Sequence, residues 1–479
     1  MNLRRVVHIL GLVLLVLAGA QLLPLVGCFS AGWSAAPAFL GGAAVTAGAG
    51  MLCRWRGSAE GELYRREGVL IVVGAWVLAS ITGAVPYLAT GVIDSPIDAL
   101  FESVSGFTTT GASILVDIDA VTRPVLFWRS FSQWLGGIGI VVLLVALLSE
   151  LGPGARFLFK LEVPGPKAEI LHARVRATAA ALSRIYLALT LAQVTLLLAF
   201  GLSLFDALTH TFSTVSTGGF SPHADSIAHF STPVQLVVIV FMIAAGVNFS
   251  LYYSALRRRD LRPFRDVEVR VYLTLLAATS AVVALDVAMH EGSSVLATSI
   301  DAVFQVVSVL TTTGFATADF AEWPGLSRAA LVALMVVGGC AGSTAGGAKI
   351  VRLLVGSKAA LREVRLTFNP NSVIAVVVGG RAVPEESVRS VVGLLLLWVL
   401  AWGIGAILLS VGDTGIVTAA TGSIATLSNI GPGLASVGPS QSFIFFAPWQ
   451  KLVMVGLMLL GRLEFFALLA LLLPQFWRR

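Results

Sequence analysis

The chain has 479 residues, of which 57% are hydrophobic and 12% charged, with a mean hydropathy of +0.89. Soluble domains carry about 25% charged residues, so a soluble enzyme or nucleic-acid-binding domain is excluded, and the net charge of +6 belongs to membrane topology instead. Three cysteines, Cys28, Cys53 and Cys340, lack the short spacings of a disulfide framework or a zinc site.

Apolar runs at 6–26 and 35–52 approach the roughly 20 residues a bilayer crossing needs and predict two N-terminal crossings within residues 1–66. The first, with Arg4 and Arg5 before it and Ala18, Gly19 and Ala20 near its end, also has the form of a cleavable signal peptide. Four units of one design follow, at 67–160, 161–259, 260–365 and 366–479. The first has crossings at 69–88 and 125–148, and between them Ser95, Pro96 and Asp98 lead to Thr109, Thr110 and Gly111. The second has crossings at 179–202 and 234–256, with Ser203 and Asp206 leading to Thr217, Gly218 and Gly219. The third has crossings at 271–287 and 329–351, with Thr298 and Asp301 leading to Thr312, Thr313 and Gly314. In the fourth, 388–411 and 443–473 flank a weaker copy that ends in Asn429, Ile430 and Gly431. There Gly415 stands at the cap position, Thr418 at the acid's, and Asp413 and Thr414 are alternative caps. The total is ten crossings.

In the first three units the glycine follows the Ser/Thr by sixteen positions. Ser or Thr followed three residues later by an acid satisfies the orphan amides of a helix start, and Pro96 suits a first turn. Each segment therefore opens a helix of about a dozen residues, about 18 Å long, too short for a hydrocarbon core of about 30 Å. It must enter and turn back. Non-helical backbone at that depth is tolerated only inside protein or along a water-filled path, so four such loops imply one central pathway. The half-helix C-termini carry partial negative charge and favour a cation, whose hydration shell the loop carbonyls replace where glycine frees the backbone. Packing of small residues between helices accounts for one such Thr/Gly run, not for four at equivalent places.

Basic residues alternate from connection to connection. Arg54, Arg56, Arg65 and Arg66, then Arg156, Lys160, Lys167, Arg174, Arg176 and Arg184, then Arg257, Arg258, Arg259, Arg262, Arg265 and Arg270, then Lys349, Arg352, Lys358, Arg362, Arg365 and Arg381 mark one side. With Arg4, Arg5, Arg478 and Arg479 they put both termini in the cytoplasm. Asp94, Asp117, Asp119, Asp225, Asp319 and Glu322 make the opposite mouth acidic, which concentrates cations. Asp98, Asp206 and Asp301 read as caps first and cation attractors second.

From Gly338 through Gly339, Gly342, Ser343, Thr344 and Gly346 to Gly347, small residues dominate, and either helix packing or a broken crossing accounts for them. A phosphate-cradling loop is excluded, because Ala348 and Lys349 follow in place of Lys-Ser or Lys-Thr. Arg462 is a costly charge inside the last apolar run, and Glu464, two residues on, does not face it across a helical turn. Asn248 reads as a helix-to-helix hydrogen bond, and Gly136, Gly137 and Gly139 as close helix packing. The six histidines have no metal-ligand spacing, with His210 and His223 placed near the outer mouth, and no nucleophile set or nucleotide loop is visible.

At several of these places the chain resembles the bacterial Trk and Ktr potassium-uptake proteins and their fungal Trk and plant HKT relatives. The resemblance lies in Phe107 to Gly111, Thr217 to Phe220, Thr311 to Phe315 and Asn429 to Gly433, and in Gly246 to Phe249, Gly338 to Gly347 and Gly461 to Glu464. The two extra N-terminal crossings are similar to the longer Trk membrane subunit. The resemblance implies an all-α polytopic membrane protein of the inner membrane, with four helix, pore half-helix, helix repeats around one pore. It implies a selectivity filter at Thr109, Thr110, Gly111, Thr217, Gly218, Gly219, Thr312, Thr313, Gly314, Asn429, Ile430 and Gly431, holding potassium ions, with no other cofactor. It implies a gate formed by the 338–347 loop with Lys349, and an Arg462 that limits cation occupancy. It further implies a homodimer with a pore in each protomer and a cytosolic ring of nucleotide-binding regulatory subunits; membrane lipid is a partner and nucleic acid is not. Glycine in all four loops goes with potassium preference in that family, where serine in the first loop is associated with sodium. A second glycine, Gly218, departs from the pattern and loosens that wall, leaving rubidium or some sodium permeation open. A sodium- or proton-coupled symporter of weak discrimination is the alternative, although four repeats entering from one side favour a channel-like path.

Overall fold

The computed structural model describes residues 1–26, 33–60, 63–150, 171–291 and 295–478. Cys28, Arg156, Lys160 and Lys167, and the unit boundary expected at 160, lie outside the described residues. The helices run α1 (Leu3–Ala20), α2 (Ala36–Arg56), α3 (Arg65–Ala89), α4 (Pro96–Phe107), α5 (Arg123–Glu150), α6 (Leu171–Ala199), α7 (Leu204–Val215), α8 (Thr232–Ala245) and α9 (Phe249–Arg258). They continue with α10 (Val267–Glu291), α11 (Val295–Leu310), α12 (Gly325–Val337), α13 (Ile350–Phe368), α14 (Glu385–Leu409), α15 (Ile416–Leu427), α16 (Pro448–Arg462), α17 (Phe466–Leu472) and α18 (Pro474–Trp477). A two-stranded hairpin, β1 (Val377–Val378) and β2 (Arg381–Ala382), is an addition to the all-α expectation, turned by Gly379 and Gly380 at positive φ.

Among the described residues six single helices are long and apolar enough to cross a membrane, or seven with the bent pair α8 and α9. The expected second crossings of units two, three and four are each interrupted. Helices α8 and α9 meet at 88°. Asn248 is the cap of α9, accepting from the Ser250 amide at 2.8 Å, and not the helix-to-helix bridge expected; a capping residue must leave helical geometry, so the crossing bends there. Helix α12 stops at Val337 and helix resumes only at Ile350, so the expected 329–351 run is not one span. In the 443–473 run, α16 starts at Pro448, and Glu464 and Phe465 at φ +57° and +49° separate it from α17.

The half-helices α4, α7 and α15 have 12 residues each, and Ser95 and Ser203 accept from the Asp98 and Asp206 amides as helix caps. The third start departs from expectation. Helix α11 already begins at Val295, and the Thr298 hydroxyl donates to the Ala284 carbonyl at 3.4 Å. The fourth start, Gly415, has no side-chain cap, so neither Asp413 nor Thr414 serves.

The distribution of polarity is inverted relative to a soluble protein. Helix α14 exposes Val392, Leu396, Val399, Leu400, Ile404 and Ile407, an apolar face suited to lipid. The half-helices at the centre bury polar groups instead: Ser103, Ser105 and Thr108 in the first unit, Thr209, Thr211, Ser213 and Thr214 in the second.

Candidate functional site

All four half-helices end in one way. The amides of Thr110, Gly218, Thr313 and Ile430 donate to the carbonyls of Ser105, Ser213, Ser308 and Ala425 at 2.8, 2.7, 2.8 and 2.9 Å. One residue earlier, Thr109, Thr217, Thr312 and Asn429 donate to Gly106, Thr214, Val309 and Thr426 at 3.0 to 3.3 Å. This is the Schellman arrangement, which requires a left-handed residue after the cap. Glycine is usual there, but these positions hold Thr109, Thr217, Thr312 and Asn429 at φ +52°, +56°, +57° and +54°. The strain is about 1–2 kcal/mol at each threonine, whereas asparagine adopts this conformation more readily. Two residues on, Gly111, Gly219, Gly314 and Gly431 are left-handed again, at φ +80°, +79°, +83° and +99°.

These glycines close a ring. A Cβ built on Gly111 would lie closer than 3.0 Å to the Gly218 carbonyl oxygen, one on Gly219 to that of Thr313, one on Gly314 to that of Ile430, and one on Gly431 to that of Thr110. Each glycine thus faces the residue before the glycine of the next loop, in the order one, two, three, four and back to one. Among the described residues no protein donor reaches the carbonyls of Thr109, Gly111, Thr217, Gly219, Thr312, Gly314, Asn429 or Gly431. Thr109, Thr217, Thr312, Asn429 and Gly431 are buried.

Behind each loop one side chain of the half-helix holds the returning strand of backbone. In the first, Glu102 accepts from the Ser113 hydroxyl at 3.0 Å and the Ile114 amide at 3.0 Å. In the third, the Gln305 amide oxygen, oriented to satisfy its neighbours, accepts from the Thr317 and Ala318 amides at 2.7 and 3.1 Å. In the fourth, Thr421 Oγ1 accepts from the Leu434 amide at 3.0 Å. Ile114, Thr317 and Leu434 each lie three residues past their glycine; the second loop has Pro222 there, which has no amide to offer. Its brace is His210, whose Nε2 meets Ser221 Oγ at 3.1 Å while Nδ1 meets the Asp206 carbonyl at 2.8 Å.

Other side chains tie one unit to the next. The buried Arg129 of α5 pairs with Glu102 at 2.8 Å, donates to the Ser221 carbonyl at 3.2 Å and lies 4.1 Å over the Phe220 ring. Gln133 donates to the Gly218 carbonyl at 2.6 Å and accepts from the Phe220 amide at 3.1 Å. A Cβ on Gly218 would strike this Gln133 side chain, so the second glycine makes room for a clamp, which corrects the expectation of a looser wall. Units four and one are joined by Lys451 to Asp98 at 2.6 Å and by Asn429 to Thr110 at 2.9 Å. Asp98 is therefore partnered by a cation of the protein itself. Gly136 lets α5 approach the Phe107 carbonyl at the end of α4.

The 338–349 segment packs against the ends of the half-helices. Gly338, Gly342, Gly347 and Lys349 have positive φ, and the remaining residues fold back so that Gly338 meets Gly346 and Gly347. The Gly346 amide donates to Thr312 Oγ1 at 2.6 Å, Thr344 Oγ1 to the Val215 carbonyl at 3.0 Å, and the Gly347 amide to the Ser428 carbonyl at 3.1 Å. Ser343 Oγ donates to the Cys340 carbonyl at 2.6 Å, the Cys340 amide donates to the Gly246 carbonyl at 3.0 Å, and a Cβ on Gly339 would meet Ala345. Lys349 Nζ donates to the Ala345 carbonyl. Arg462, only 3% exposed, donates to the Thr344 carbonyl at 2.8 Å, and among the described residues no carboxylate pairs with it. Glu464 pairs with Arg352 instead, at 2.7 Å.

A family model described as the cation transport protein TrkH matches residues 35–477. The chain belongs to the TrkH family. The Trk system potassium uptake proteins TrkH of Salmonella typhimurium and Halomonas elongata are 37% and 39% identical to it, with all of both chains covered in each case. The crystal structure of the potassium transporter TrkH from Vibrio parahaemolyticus is similar over the whole of both chains, with a TM-score of 0.90 and 34% identity. This TrkH-family chain is a multi-pass membrane protein of a transport family, not an enzyme.

In the TrkH-family chain the braces Glu102, Arg129, Gln133, Gln305 and Thr421 escaped sequence reasoning. A signal was present. Glu102, His210 and Gln305 each follow their Ser/Thr by seven positions, so a polar residue stands at the same place in the first three copies of the motif.

In the loop after the second glycine, His223 Nε2 lies 3.0 Å from Asp206 Oδ1, and its ring stacks on His229 at 4.2 Å. The hydrogen bond to Asp206 raises the His223 imidazole above its ordinary range. A raised folded-state value means that the stabilisation is complete below about pH 6.5 and is lost as pH rises through the folded value. Replacing His223 by Gln therefore lowers the melting temperature in detergent more at pH 6 than at pH 9. An equal loss at both would rule out a charged partner for Asp206.

Proposed function

We propose that the chain takes up potassium across the bacterial cytoplasmic membrane, with the four return loops as its selectivity filter. The observation that carries this reading is the closed ring of four loops, in which the carbonyls of Thr109, Gly111, Thr217, Gly219, Thr312, Gly314, Asn429 and Gly431 have no protein donor among the described residues. A buried acceptor left unsatisfied costs about 1–3 kcal/mol, and a dehydrating cation partners several such oxygens at once. The half-helix C-termini add partial negative charge. Glycine in all four loops and the potassium uptake named for the relatives support potassium over sodium. The alternation of basic connections supports cytoplasmic termini. The Trk system named for the relatives supports a cytosolic nucleotide-binding regulatory partner; a homodimer and contact with membrane lipid complete the assembly.

The test is rubidium-tracer uptake into proteoliposomes holding the purified protein, competed with potassium or sodium. Potassium is expected to compete and sodium to compete poorly. Equal competition would remove the selectivity, and a folded protein that takes up no rubidium under any condition would remove the pathway.

The 338–347 segment is the gate in this reading, held shut by its bonds to Thr312, Val215 and Ser428. Arg462, buried and with no carboxylate partner among the described residues, opposes cation occupancy beside it. Shortening the segment raises rubidium uptake severalfold, and Arg462→Ala raises it less. Unchanged or lower uptake by both variants, with folding verified, would count against a gate here.

A further inference from the structure

Helix α9, the single-turn helix Arg262–Arg265, the start of α10 and the β1–β2 hairpin enclose a cleft of about 280 Å³. Arg258, Arg262, Arg265 and Arg381 line it, together with Asp266 and Glu268. Arg262 pairs with Asp260 at 3.2 Å, whereas among the described residues Arg258, Arg265 and Arg381 have no acidic partner. Cytoplasmic topology explains the sign of these charges. It does not explain why residues more than a hundred positions apart bring three unpaired guanidinium groups to one concavity. Their mutual repulsion is relieved by an anion, and the planar forks of arginine match phosphate oxygens in pairs.

The inner wall of the cleft is Glu268, buried at 7% exposure. One of its oxygens, Oε1, accepts from the Ala341 amide at 2.8 Å and from the Val351 amide at 3.1 Å. A single carboxylate therefore grips the 338–347 segment near its beginning and the helix that follows it. Beside it, the Phe249 amide donates to the Gly342 carbonyl at 3.0 Å, which fastens the same segment to the α8–α9 bend.

We propose that this cleft binds a phosphate-bearing anion and that its occupant acts on the 338–347 segment through Glu268. The second half rests on the reading of that segment as a gate. An added negative charge beside Glu268 repels the carboxylate that holds the two amides, so occupancy loosens the segment and raises flux. The phosphate comes either from an anionic lipid headgroup or from solution.

Two measurements on the full-length purified protein separate these points. The first is binding: calorimetric titration with inorganic phosphate in neutral detergent, and capture by phosphatidylcholine vesicles with or without phosphatidylglycerol, for the parent and for Arg265→Ala/Arg381→Ala. A severalfold weaker interaction of the double variant in either arm supports the site, and the responding arm names the source. Equal binding by parent and variant in both arms, or none by either, overturns it. The second is rubidium uptake by the same preparations, with and without the binding anion. Uptake is expected to rise in the parent and to stay flat in Glu268→Gln, which keeps an acceptor oxygen but no charge. Intact binding with unchanged flux in the parent overturns the coupling. A parent without flux in any lipid is instead the failure of the transport reading, because the binding arms do not depend on it.

Discussion

Gly219→Ala abolishes discrimination between potassium and sodium and cuts rubidium uptake by about tenfold or more, since 1.4 kcal/mol on a barrier is already a factor of ten. Two costs combine at this position. Alanine at φ +79° carries a left-handed strain of about 1–2 kcal/mol. Its methyl group would also stand within 3.0 Å of the Thr313 carbonyl oxygen, with the backbone of Gly314 close behind. Backbone cannot swing aside as a flexible side chain does, so the second and third loops must part. Gly201→Ala separates the two costs, because Gly201 has φ +89° with nothing within 4 Å of a built Cβ. Tracer uptake and competition are expected to be nearly normal in Gly201→Ala and lost in Gly219→Ala. Similar losses in both would mean that backbone strain alone is at work and that the ring is not tight.

Glu102→Ala lowers stability by roughly 3–5 kcal/mol, the usual cost of stripping one partner from a buried ion pair. The remaining Arg129 is 1% exposed, and its other partners are a carbonyl, a hydroxyl and an aromatic face, none of which carries a negative charge. The same change frees the Ile114 amide and the Ser113 hydroxyl, so the first return loop loses its support from behind. Thermal unfolding in detergent reads the stability, and potassium-against-sodium competition reads the loop. The double variant Glu102→Gln/Arg129→Met restores most of the melting temperature, since it leaves no buried charge unpaired. If the single variant melts within a degree or two of the parent, the pair is not as isolated from water as its burial indicates.

The half-helices were legible in the sequence because their signals are short-range. Ser95 and Ser203 cap amides three residues away, and the glycines at 111, 219, 314 and 431 answer a backbone angle set within their own loop. The same local reading failed at Thr298, where the spacing was right but α11 had already begun at Val295. It failed too at Asn248, because an apolar run on either side concealed an 88° bend.

Composition, the periodic alternation of apolar runs and basic connections, and copies of one short motif determined by themselves that the chain is a multi-pass membrane protein with four short half-helices, each ending in a glycine-containing loop. Each of those properties resides in residues that are neighbours along the chain. The tertiary structure alone decided how the units meet: which carbonyl faces which glycine, that Gly218 is clamped by Gln133, that Asp98 is spent on Lys451, and that one Glu268 oxygen holds both sides of the 338–347 segment. Asn429 and Thr110 are 319 positions apart, and Lys451 and Asp98 are 353 apart. No local propensity or spacing encodes a partner at such a distance. It is chosen when burial in a low-dielectric interior leaves each polar group the alternative of finding that partner or bearing the full cost of desolvation.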